Sequence, residues 1–443
     1  MSAPSPIVER FARQYDAVKA GLPGAELGWL ADLRERALAG FVAKGLPTPK
    51  TEAWKYTNLN ALARLPFVAA VAAENGVTAA KLPRLLSAKA DSLRLVVVNG
   101  RPRPDLSELG KLPSGVTITS LAAAFKSEPA LLEGRLGTFG AMPDMPFAAL
   151  NAALMADGVV LRIGADVSID RPIELLYLAS SAGEPVSYHP RNLIFAEAGS
   201  QATIVEHHAG IGDGAYFANG VTHIALESGA TLRHYKLESE GAQAFHIANR
   251  QVRLARDTTY ESFVLANGGR LARDEITVVL DGPGARCRLD GAFMARGRQL
   301  IDNTTVIDHA APNTTSREIY KGVLDDQARG VFQGRIVVRP DAQKADGQQT
   351  SRTLLLSPGA EIDTKPQLEI YADDVKCSHG AAVAEIEEEA LFYLRSRGIP
   401  EPDARQMLVE AFLDDVVDQV ACEPVREAFR DVVAGWIGPK GGA

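Results

Sequence analysis

Apolar positions recur three and four apart at the start of the chain. Ile7, Phe11, Tyr15 and Val18 form one stripe, and Leu27, Leu30, Leu33, Ala37 and Phe41 form a second. That spacing predicts two amphipathic helices, separated at Gly21-Leu22-Pro23-Gly24. The stretch Thr51–Thr57, after Pro47 and Pro49, is expected to open a third. Leu93–Val98 reads as a buried strand stopped by Asn99-Gly100, and helical patches follow at Ser120–Lys126 and Pro146–Met155.

From Val159 to about Val383 the period changes. Short runs rich in Val, Ile, Thr, Tyr and Phe follow one another, broken by Gly, Asp, Asn and Pro. Turn-like clusters recur at Ala198-Gly199-Ser200, Ser228-Gly229-Ala230, Arg256-Asp257-Thr258, Pro283-Gly284-Ala285 and Pro312-Asn313-Thr314. They lie about 27–30 residues apart, within the range of repeat architectures. A sandwich, a barrel and a β-solenoid all fit a long run of short strands; the repeat favours the solenoid, whose coils stack on their neighbours. Roughly eight coils at ~4.8 Å per step predict a stack about 40 Å tall. The backbone of an end coil is unpaired and sticky. The helical N-terminal part is expected to cap one end, which leaves the other for a partner chain.

The last ~55 residues return to helix. Pro400-Glu401-Pro402-Asp403 is a start signal. Leu408, Phe412, Val416 and Val420 repeat at i,i+4, and Val425, Phe429, Val432 and Trp436 continue after Cys422-Glu423-Pro424. The stripe serves either internal packing or docking of another protein. The expected division is a mainly helical region over 1–157, a parallel β-helix core over 158–383 and a helical region over 384–443. The fold class is mainly β.

Composition adds limits. The chain has 443 residues, of which 46% are apolar and 23% charged, an ordinary globular balance. Cys287, Cys377 and Cys422 are its three cysteines and form no C-x-x-C pair, so a reducing compartment is expected. No basic-then-apolar leader and no apolar stretch near ~18 residues is visible, which predicts a cytoplasmic protein without a membrane partner. The net charge is −8, and Ala384–Ala443 carries 13 acidic against 6 basic residues. Nucleic-acid binding is disfavoured, because it needs a basic stripe; an acidic end suits a solvated face or a basic partner.

Common catalytic signatures are missing. The chain holds no G-x-x-x-x-G-K-[ST], G-x-S-x-G or H-E-x-x-H. Gly210–Gly214 reads as a turn, and so do the carboxylate pairs Asp325-Asp326 and Asp373-Asp374. His207 and His208 on a strand face opposite sides and cannot chelate together. The sharpest constellation is Val375-Lys376-Cys377-Ser378-His379-Gly380. In an extended segment Cys377 and His379 share a face. A thiolate and an imidazole there suit a soft or borderline metal, and Lys376 is expected to lower the thiol pKa. The competing reading is a buried Cys beside a hydrogen-bonded His. Two ligands fall short of the four that zinc and iron–sulfur sites want, so a site here would borrow the rest from a second chain.

Several blocks then converge. Ser316-Arg317-Glu318 through Gly322, Phe332-Gln333-Gly334, Asp346-Gly347-Gln348-Gln349, Leu354–Ser357, Ala372–Gly380 and Leu391–Ile399 together resemble the SufB/SufD family of iron–sulfur cluster assembly proteins. Cys377-Ser378-His379-Gly380, Trp54-Lys55-Tyr56-Thr57 and the lack of any cysteine before residue 287 resemble the SufD branch. The resemblance implies a right-handed parallel β-helix with helical ends. It implies pairing with SufB through the C-terminal coils and binding of the SufC ATPase through the C-terminal helices, for which Phe412, Asp414, Asp415 and Val416 are candidates. It implies a non-catalytic scaffold that holds no cofactor stably by itself. His379, with Cys377 beside it, would contribute at the partner interface to a site that carries iron or an iron–sulfur cluster transiently. The alternatives are a homodimeric SufB-like scaffold and a β-helix carbohydrate-active enzyme; the latter needs paired carboxylates on a groove.

Overall fold

Six successive coils of the central region turn on a residue with left-handed backbone. Gly199, Gly229, Asp257, Gly284, Asn313 and Lys344 have φ between 56° and 76°. Glycine takes this conformation freely, and Asn and Asp tolerate it better than most residues; the sequence repeat therefore marks real corners. The corners also bond to one another. The Gly199, Gly229, Asp257 and Asn313 amides donate to carbonyls of the next coil (Ser228, Arg256, Pro283 and Gln343) at 2.9–3.0 Å.

The computed structural model describes residues 5–70, 77–86, 90–139, 145–181 and 183–437. Strands alternate between two sheets along the chain, so each coil gives one strand to each. The first sheet runs through Val159–Ile163, Arg191–Ala196, Tyr216–Leu226, Ala244–Leu254, Leu271–Leu280, Leu300–His309, Arg329–Val338 and Glu361–Ile370. The second runs through Ile173–Ser180, Gln201–Ile211, Thr231–Glu238, Thr259–Ala266, Arg286–Ala295, Thr315–Leu324, Asp346–Leu355 and Lys376–Ala384. Neighbours within these runs pair in parallel. The result is the expected parallel β-solenoid, of about eight coils. Leu93–Val98 joins the second sheet in parallel beside Ile173–Ser180, as its apolar run suggested.

Alternation along each strand sends one set of side chains inward. Leu232, Tyr260 and Leu289 from the second sheet meet Val252, Val278, Ile307 and Ile336 from the first in a continuous core. The outer faces are covered too. On the first sheet Phe217, Phe245 and Ile247 pack against Ile7, Phe11, Phe41 and Phe147 of the N-terminal helices. On the second, Tyr235, Phe263, Met294 and Val323 pack against Leu413, Val416 and Phe429. The helices in question are Pro6–Val18, Gly28–Lys44 and Pro146–Leu154 on one side, and Glu401–Val417 and Glu423–Ile437 on the other.

Two expectations change. The N-terminal helices cover a side of the solenoid rather than its end. At that end the ladders finish on short antiparallel strands, Val116–Ser120 on Val159–Ile163 and Arg101–Pro102 on Leu93–Val98; a short edge is a weak template for further pairing. The third helix does not open within Thr51–Thr57 but follows as the four-residue Asn60–Ala63. Glu52–Trp54 makes a single 3-10 turn, because tertiary contacts claim its side chains. Trp54 is buried 5.2 Å from the Phe147 ring, with the Arg273 guanidinium 3.9 Å over its face. Thr57 donates its hydroxyl to Asp302.

Candidate functional site

Glu361–Ile370 and Lys376–Ala384 are the last strands of the two sheets, each paired on one edge. Their exposure differs sharply from the strands below. Nearly every residue of Lys376–Ala384 is exposed, and Ile370, Tyr371 and Val383 present large apolar side chains at 42%, 62% and 53%. This coil is an open end, with unpaired backbone and apolar surface together.

The parity argument for Cys377 and His379 holds in three dimensions. Cys377 stands in register with Gly347, Ser316 and Cys287, and His379 with Gln349, Glu318 and Leu289. Cys287 and Leu289 belong to the inner core, against which Cys377 also packs. Both residues therefore lie on the inward face of the terminal rung, with Cys377 half-buried and His379 exposed. The expected influence of Lys376 is overturned. Burial pushes the Cys377 thiol up, a backbone contact with Gly347 offsets this only partly, and Asp346 adds to it. Lys376 is one residue away and so on the opposite face. Deeper in the same column Cys287 is fully buried and its thiol is pushed well up by burial. Among the described residues no three His, Cys, Asp or Glu side chains converge as a metal site.

Below this rung the inner face turns polar. Glu318 and Gln349 are each 1% exposed, and Gln349 Nε2 donates to Glu318 Oε2 at 2.6 Å. Ser351, Thr353, Thr305 and Asn303 are buried on adjacent rungs. Further in, Glu206 Oε2 and Oε1 lie 2.9 Å from His208 Nε2 and His234 Nε2. Lys236 Nζ is 2.5 Å from Glu238 and 3.3 Å from Asp274, which Arg250 also contacts at 3.3 Å. Burial alone would raise the Glu206 pKa, but the hydrogen bonds from His208 and His234 hold it well below the usual carboxylate range. His207, on the opposite face, meets Ser239 Oγ at 2.9 Å. The sequence reading missed this polar interior. Its signal was present: Glu206, His208, His234, Lys236 and Glu238 share one parity, and Glu318, Gln349 and His379 fall about one repeat apart.

The candidate residues of the C-terminal helix have mixed placements. Val416 is fully buried in the seam with the second sheet and offers no surface. Asp415 is bound to Lys321, 2.5 Å from its Nζ, which holds the carboxyl below its usual range. The same ammonium lies 4.6 Å over the half-buried Phe412 ring. Asp414 is half-buried near Arg430. The outward apolar side chains are Phe392 and Tyr393 of Glu388–Arg395 and Met407, at 72%, 55% and 47% exposure. A groove of about 480 Å³ runs beside them between Leu356, Pro358, Ile386, Phe392, Arg395 and Arg405. Asp325-Asp326 and Asp373-Asp374 lie in turns: Asp326 has φ 56°, and Asp374 closes onto Lys344 and Gln343. Gly212 likewise turns at φ 83°.

Comparison with known proteins agrees with the architecture. Residues 177–412 match the family model described as "SUF system FeS cluster assembly, SufBD core domain", and residues 6–175 match "SufBD protein N-terminal region". An iron–sulfur cluster assembly SufBD family protein of Synechocystis is 32% identical over 95% of both chains. The iron–sulfur cluster assembly protein SufD of Escherichia coli is 34% identical over 89% of this chain and 90% of its own. SufD of Bacillus subtilis is 28% identical over 92% and 94%. The solenoid, its helical flanks and these matches across nearly the whole length have one meaning: the chain belongs to the SufBD family of iron–sulfur cluster assembly proteins.

Proposed function

We propose that this chain is the SufD-type, non-catalytic scaffold subunit of a SufB–SufC–SufD complex. Its open terminal coil pairs with the matching coil of a SufB chain, and its C-terminal helices receive the SufC ATPase. Cys377 and His379 face the space between the paired coils and contribute to the site where an iron–sulfur cluster is built. The cluster is cargo, completed by ligands from the partner and passed on. The chain alone holds none stably, and the work is cytosolic.

The observation that carries this reading is the terminal rung itself. It brings unpaired strand edges, exposed Ile370, Tyr371 and Val383, and a thiol–imidazole pair on one inward face to the same place. Edge pairing would satisfy the backbone and cover the apolar side chains at once. Phe392, Tyr393 and Met407 support a second contact on the helical flank. Aromatic side chains in such positions are common anchors of binding energy.

Co-expression with SufB and SufC is the test. The three chains are expected to purify as one complex, and His379→Ala is expected to leave that complex assembled while cluster yield on anaerobic reconstitution falls. An unchanged yield would remove His379 from the site. A purified chain that forms only homodimers with SufB present would favour the homodimeric scaffold instead.

A further inference from the structure

The column behind His379 is built in a particular way. Glu318, Gln349 and His379 occupy three successive rungs at one lateral position, spaced by the ~4.8 Å strand step. Gln349 is anchored from below by its 2.6 Å bond to Glu318. It is also fixed from the side: a Cβ on Gly334, in the facing sheet, would meet Gln349 Nε2 at 1.8 Å. Only glycine leaves room for the amide there. Held in this way, Gln349 keeps its carbonyl oxygen Oε1 buried and without a hydrogen-bond partner. An orphaned buried acceptor costs free energy unless something uses it. The next inward position in its column is His379.

We propose that Glu318 and Gln349 are positioning residues for His379: the exposed imidazole, unbonded to Gln349 Oε1 as the structure stands, turns inward so that this carbonyl accepts its N–H and fixes which ring nitrogen is left free to face cargo at the open rung. A ligating histidine needs its other nitrogen held in this manner, since that bond sets both tautomer and ring orientation. Glu318 acts at one remove, by holding the Gln349 amide through its Nε2. Gly334 supplies the space. The use of the free nitrogen for cluster building rests on the function proposed above; the orientation of the ring does not.

The test is the neutral tautomer ratio of His379 in the full-length chain alone, read from nitrogen shifts after selective ¹⁵N-histidine labelling. The chain has eight histidines, and His379→Gln assigns the resonance. The ratio of the two tautomers is expected to differ from that of a free side chain by about five- to tenfold, the effect of one hydrogen bond. Gln349→Met, which keeps the shape, should abolish that bias. Gln349→Leu serves the same purpose if the Met variant folds poorly, and the other seven histidine signals report whether the fold is kept. Glu318→Gln, whose amide oxygen still accepts from Gln349, should retain the bias, whereas Glu318→Leu should lose it. A wild-type ratio equal to that of a free side chain, or a bias that survives loss of the Gln349 amide, overturns the proposal. If the bias behaves as described but His379→Ala leaves cluster yield unchanged, the functional reading fails and the positioning role stands.

Discussion

Replacing Glu318 by Gln should make the protein more stable, and increasingly so as pH rises. Glu318 is buried with a neutral amide on one oxygen and no cation among the groups that act on it. Burial first, with Asp290 adding to it and hydrogen bonds from Gln349 and Thr305 offsetting part, raises its pKa from 4.5 to about 7 in net. The folded state therefore binds the proton more tightly than the unfolded state. The protonated carboxyl carries no penalty at low pH, and stability is lost as pH climbs from the unfolded value through about 7. A shift of this size corresponds to about 3 kcal/mol once both states are ionised. About 2.5 kcal/mol of that falls between pH 5 and pH 8. Glutamine does not titrate and keeps an oxygen for the Gln349 amide. Urea unfolding of both proteins at several pH values is the assay. The difference in favour of the variant should widen by roughly that amount between pH 5 and pH 8. Parallel curves would refute the reasoning, because they would mean that Glu318 finds a cation or water enough to ionise normally.

Other outcomes follow from the same coordinates. Trp54→Ala should lower stability by about 3–5 kcal/mol, since it empties a buried site and leaves Arg273 without its ring; an unchanged melting temperature would show that the Glu52–Trp54 turn is not an anchor. Asp415→Lys should lower the thermal midpoint by facing a second cation onto Lys321, and Lys321→Met should restore part of it. Phe392→Ser with Tyr393→Ser should change stability by no more than about 0.5 kcal/mol per site, since both are exposed, yet weaken retention of SufC in pull-downs by about tenfold or more. Cys377, half-exposed but with its thiol pushed up, should alkylate more slowly at pH 7.5 than a free cysteine; a faster rate would contradict the cause assigned to its shift.

Much of the architecture was legible because a solenoid writes its geometry locally. One corner in each of six successive coils takes left-handed backbone, and Gly199, Gly229, Asp257, Gly284 and Asn313 announce the repeat without any long-range information. Strand parity alone places Cys377 and His379 on one face, and the absence of further strand pattern after Val383 marks the end of the stack. What parity does not say is what each face meets. Both faces of these sheets are buried, one by the core and one by helices, so apolar alternation is weak and the polar inner column of Glu318 and Gln349 shows in sequence only as a spacing of about one repeat, with nothing local to mark it. It becomes visible only when register brings residues about thirty apart within one strand step. The placement of the helices was likewise decided in three dimensions. The apolar stripes required a partner surface, and the broad flanks of the sheets offered more area to bury than the narrow end of a coil. That choice takes Val416 out of reach, claims Asp415 for Lys321, and leaves the last rung uncovered.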